Sequence, residues 1–133
     1  MDKSILFKHL SGSLGGLGYE LRVRYLPQAP VHAWTPSINA FLCHDQMIVC
    51  VELAGVAQDQ IEVHVEPRRL LVRGVRQPLE CAENEGPPLQ VFALEIDQGL
   101  FQREIALPCE VRSDGVRAEQ RNGMLWIYLP LVG

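Results

Sequence analysis

Long apolar runs are missing from this 133-residue chain. The longest are strand-length, far short of the roughly 18 residues a membrane-spanning helix needs. A basic excess is missing too: 12 Lys and Arg stand against 16 Asp and Glu, for a net charge of -4. No basic run appears either, so a nucleic-acid partner is not expected. The opening "MDKSILFKHLSGS" has only Ile5-Leu6-Phe7 before Lys8 interrupts it, too short for a secretory signal. A cytoplasmic protein with reduced thiols is therefore expected. Cysteine is sparse, at positions 43, 50, 81 and 109, with no C-x-x-C pair and no zinc-ligand spacing. Cys43-His44-Asp45 sets three ligand types in a row. They fall in a tight turn between two strand patterns, where neighbouring side chains diverge, and they read as a polar turn beside core-lining thiols. No Ser-His-Asp or Cys-His arrangement can be assembled. The glycines of "SGSLGGLG" do not match G-x-G-x-x-G and follow no clear strand. Asp59, Glu62 and Glu66 have the spacing of solvated charges, and His64 reads as a solvated strand residue. The chain is accordingly expected to be no enzyme and to hold no metal or cofactor.

What the chain does contain is a globular balance, 47% hydrophobic and 21% charged residues. A chain of this size buries roughly two-thirds of its unfolded surface. Residues 1–33 read as an N-terminal arm, flexible through its Gly and Ser residues. Ile5, Leu6, Phe7 and Leu10 allow a short amphipathic helix within it, and "YELRVRYLP" allows a strand or an extended segment. From Trp34 the pattern becomes regular. "SINAFLC" and "MIVCVEL" flank a turn, and Met47, Val49, Val51 and Leu53 share one face. "IEVHVE" alternates cleanly. In "RRLLVRGVR", Gly74 marks a bulge or the close approach of another backbone. "QPLECAENEGPPLQ" is long for a hairpin loop, and loops of that length tend to be functional. "VFALEI" is an isolated strand pattern beyond it. "GLFQREIALP", "GVRAEQ" and "MLWIYLP" complete the set, the last two joined through Asn122-Gly123, a hairpin-turn signal. Seven or eight short strands with no sustained helical period predict an all-β, antiparallel immunoglobulin-like sandwich over 34–133.

"WTPSINAF", "VELAGVAQDQIEVHVE", "LLVRGVR", "GLFQREIALP" and "AEQRNGMLWIYLP" occur in that order. Together they resemble the α-crystallin domain of the small heat shock proteins, of bacterial and plant type. The most specific pieces are Gly99-x-Phe101-x-Arg103-x-x-x-Leu107-Pro108 and Ala118-x-x-x-Asn122-Gly123-x-Leu125-x-Ile127-x-Leu129-Pro130. Phe101, Arg103, Asn122, Gly123 and Leu125 are the signature positions. Leu53-Ala54-Gly55-Val56 departs from the family's "LPGV" by Ala54.

The resemblance implies an ATP-independent holding chaperone for partly unfolded client proteins, with Ile5, Leu6, Phe7 and Leu10 as the client-binding part of the arm. It implies a homodimer formed by strand exchange. The long loop 77–98 would lend a dimerisation strand, with Val91, Phe92, Leu94 and Ile96, to the partner's sheet edge. It further implies a groove that docks Ile-x-Ile tails, lined from Ile61, Val63, Val65, Val116 and Ala118. The family's own Ile-x-Ile tail is not evident here: Leu129-Pro130-Leu131 has suitable letters, but the strand pattern already uses Leu129. The expectation is therefore a dimer or small oligomer whose groove is empty, filled by the arm, or open to tails of other small heat shock proteins. Two alternatives keep the fold, a CS-type co-chaperone or adaptor, and an accessory subunit of another small heat shock protein.

Overall fold

The computed structural model describes residues 5–10, 18–23, 33–78 and 86–133, the first two stretches as backbone only. Among the described residues nine strands form, and every pair of them is antiparallel. They are β1 (Ile5–Leu10), β2 (Gly18–Val23), β3 (Ile38–Leu42), β4 (Gln46–Glu52), β5 (Ile61–Glu66), β6 (Arg69–Arg76), β7 (Gly99–Ala106), β8 (Arg117–Arg121) and β9 (Met124–Pro130). One sheet has the order β2-β1-β5-β6-β7 and the other β3-β4-β9-β8. The expected sandwich is present.

Period-two alternation builds the core between the sheets. In β4, Met47, Val49 and Val51 point inward; in β9, Leu125, Ile127 and Leu129 do so, and all six are buried. The register carries these rows across the sheet, with Met47 opposite Leu129, Val49 opposite Ile127 and Val51 opposite Leu125. Leu70, Val72 and Phe101 close the cluster from the other sheet. At roughly 25 cal/mol per Å² of apolar surface removed from water, this cluster supplies the main drive to fold. Leu129 is fully buried, so it is committed to its own core.

Two readings need correction. The segment Ile5–Leu10 is a strand, not a helix. Six residues are too few for a helix to be stable by itself, whereas an extended segment satisfies its backbone on β2 and β5. His64 is not solvated but completely buried. Its backbone stands opposite Leu6 of β1 and Leu71 of β6, so β5 is an interior strand of its sheet here. The glycine-rich residues 11–17 lie outside the described residues, as does Cys81.

Candidate functional site

Two places on the sandwich gather the residues singled out from the sequence. The first is the long loop and its base. Trp34 seals that base. Its backbone N–H donates to the Leu100 carbonyl and its carbonyl accepts from the Gln102 N–H, each at 3.0 Å. The indole Nε1 donates to the Gly99 carbonyl at 3.2 Å, and the ring packs on Phe101 with centroids 5.2 Å apart. The Arg76 guanidinium lies over the Trp34 ring, 4.3 Å from its centroid, and Nη1 donates to the Asp97 carbonyl at 2.9 Å. Arg76 ends β6 and Asp97 stands just before β7, so one buried arginine ties both ends of the loop together. Sequence reading missed Arg76, because an arginine at a strand end carries no local signal of burial.

From this clamped base the loop projects apolar residues into solvent. Phe92 is 92% exposed and Leu94 74% exposed; Leu89, Val91 and Ile96 are exposed as well. Residues 91–96 form no strand within the single chain. Within the single chain they pair with no strand. A matching edge exists elsewhere: β3 is the outermost strand of its sheet, and Phe41 and Leu42 on it are 48% and 57% exposed. Sequence reading missed these two residues as a surface, because "SINAFL" gives no sign of which strand lies at an edge.

The second place is the β5–β8 side. Ile61, Val63, Val65, Val116 and Ala118 all belong to one buried cluster. The β1–β2 hairpin lies along this side, with β1 paired to β5 and β2 beside β8. Outward from β5 runs a charged row: Arg73 Nε donates to Glu62 at 3.0 Å, and Arg69 joins Glu66 and Glu104.

The signature residues hold the frame rather than any reactive centre. Phe101 and Leu125 are core. Arg103 Nη1 donates to the Pro36 carbonyl at 3.4 Å. Asn122 and Gly123 turn β8 into β9 with φ of 49° and 79°, the left-handed pair that a two-residue hairpin demands. Ala54 packs on that turn, and the Leu53 N–H donates to the Gly123 carbonyl at 2.9 Å. The Cys43–Gln46 turn closes the β3–β4 hairpin through the Cys43 N–H on the Gln46 carbonyl at 2.8 Å. Among the described residues, no group of His, Cys, Asp and Glu is placed to hold a metal, and no helix is long and apolar enough to cross a membrane. Burial pushes the Cys50 thiol up, against a smaller opposing pull from Arg121.

The family model for the Hsp20/alpha crystallin family matches residues 43–132. Heat shock protein 16 of Schizosaccharomyces pombe is 31% identical over 98 residues, 74% of this chain and 67% of that protein. A spore protein of Stigmatella aurantiaca is 33% identical over 98 residues, 74% of this chain and 56% of its own length. The chain thus spans between about half and two-thirds of the curated relatives it matches. Among solved structures, heat shock protein 16.0 of Schizosaccharomyces pombe superposes with a TM-score of 0.63 at 31% identity, covering 74% of this chain and 87% of that one. The hspA of Xanthomonas axonopodis gives 0.63 at 29% identity, covering 75% and 96%.

Proposed function

We propose that this chain, which belongs to the Hsp20/alpha crystallin family, is an ATP-independent holding chaperone that acts as a dimer or small oligomer in the cytosol. The observations that support this most are the clamped loop with its projecting apolar row and, separately, an outermost strand, β3, that also exposes apolar residues. In a second copy, residues 91–96 would add to β3 as one more strand. Main-chain hydrogen bonds would give the pairing, and alternate side chains its specificity. Covering both surfaces removes the aggregation hazard of an open apolar edge.

Client binding falls to Ile5, Leu6, Phe7 and Leu10 in this reading. The β5–β8 side would take an extended aliphatic segment, such as an Ile-x-Ile tail of another small heat shock protein. Two aliphatic side chains give roughly 3–6 kcal/mol of gross transfer energy. Ordering costs remove much of that, so micromolar or weaker binding is expected. Val63 is a poor probe of this site, because it sits in the core and Val63→Asp would unfold the chain.

The test is to heat a labile client with this protein and resolve the mixture by size. A soluble client complex formed without nucleotide supports holding. Client lost to the pellet at every ratio, or a complex that needs ATP, contradicts it.

A further inference from the structure

One short stretch of chain joins the two surfaces that the dimer reading uses. Trp34 lies on β7, the outermost strand of the five-stranded sheet, as an isolated parallel bridge to Phe101. Farther along, the Ser37 carbonyl accepts from the Glu52 N–H at 3.0 Å, and β3 begins at Ile38, opposite Val51. Between the two, Pro36 is buried, and its carbonyl accepts from Arg103 of β7. Residues 34–37 therefore cross from the base of the loop in one sheet to the outermost strand of the other. The loop base itself rests on Trp34, through the Gly99 carbonyl and the Arg76 guanidinium.

This seat also contains a reason to open. Arg76 is 7% exposed, yet its Nε has no hydrogen-bond partner among the described residues. Its contacts there are a carbonyl and an indole face rather than a carboxylate. A buried cation without a carboxylate keeps much of its desolvation cost. Lifting Trp34 off β7 gives the guanidinium access to water, which offsets part of what the lost indole contacts cost.

We propose that Trp34 is a two-position seat that couples the base of the loop to β3 within one subunit. Seated, Trp34 holds the loop base and, through residues 35–37, the start of β3. Lifted, it slackens both together. In a dimer built from these two surfaces, each subunit would then lose its donor strand and its acceptor edge in one step. That step would uncover Phe92 and Leu94 together with Phe41 and Leu42. The dimer consequence rests on the strand-exchange reading above; the coupling within the subunit does not.

Four forms of the full-length chain test this: unaltered, Trp34→Ala, a two-glycine insertion between Pro36 and Ser37, and both changes together. The insertion leaves the Trp34 seat and the β3–β4 pairing in place and slackens only the link between them. Amide exchange is read at a dilution where ultracentrifugation shows monomer. Trp34→Ala should accelerate exchange about tenfold both in residues 99–102 and in residues 38–42, and leave the core residues 125–129 unchanged. On the background of the insertion, Trp34→Ala should accelerate residues 99–102 alone. In the chain without the insertion, Trp34→Ala should also raise the dimer dissociation constant about tenfold. Unchanged exchange in 38–42, equal acceleration of 38–42 with the insertion present, or acceleration that spreads to 125–129 overturns the coupling. The expected exchange pattern with an unaltered dissociation constant supports the coupling and contradicts the strand-exchange reading.

Discussion

Gly74 has no side chain because two neighbours need its space. A Cβ there would run into the carbonyl oxygen of Gln60 and stand 2.8 Å from the Phe101 ring. Of the bulge and the close approach that a strand glycine allows, the close approach is what the fold uses. Gly74→Ala should destabilise the chain by about 1–3 kcal/mol through overpacking, measured as a fall in the denaturant midpoint. Phe101→Ala should cost about 3–5 kcal/mol, since a fully buried ring leaves a cavity. Cys50 offers a pH signature. Its raised thiol pKa means that the unfolded chain gives up this proton at a lower pH than the folded chain does. Stability from this group is whole below about pH 8.5 and declines as the pH rises beyond it. Urea unfolding at several alkaline pH values should show that decline, and Cys50→Ala should flatten it. At this scale, the turn residues were legible because Asn122 and Gly123 announce their own backbone. His64 and Arg76 were not, because their burial depends on elements far away in sequence.

The strands of the sandwich body were legible from their alternation alone. β4, β5, β6, β7 and β9 fall where the period-two runs lie. One segment departed, Ile5–Leu10, and the cause is physical: its structure depends on which edge is available, and an edge is a property of the assembled sheet. Residues 5–10 meet one on β5. The strand expected at 91–96 belongs to the dimer and remains an expectation for it. Replacing residues 79–96 by a short Gly-Ser turn should give a folded monomer, read by light scattering; a variant that stays dimeric places the interface elsewhere. Arg76→Ala should weaken the dimer by a smaller amount, because it frees the base of the loop and removes nothing from its apolar row. Analytical ultracentrifugation across a dilution series separates the two effects.

At the scale of the whole molecule, the sandwich and its family were readable from ordered motifs, since each motif marks a turn or a core position the fold needs. The five groove positions were readable as two strands but not as a surface: all five are buried, with the hairpin along that side. The proposed holding activity rests on apolar segments at sheet edges. A client such as a heat-labile enzyme, held at its unfolding temperature and followed by light scattering without nucleotide, tests this most directly. A holding chaperone should give a delayed and lowered scattering curve at substoichiometric to equimolar protein, with Ser at positions 5, 6, 7 and 10 weakening the effect. An unchanged curve at every ratio, or protection that appears only with ATP, would contradict it.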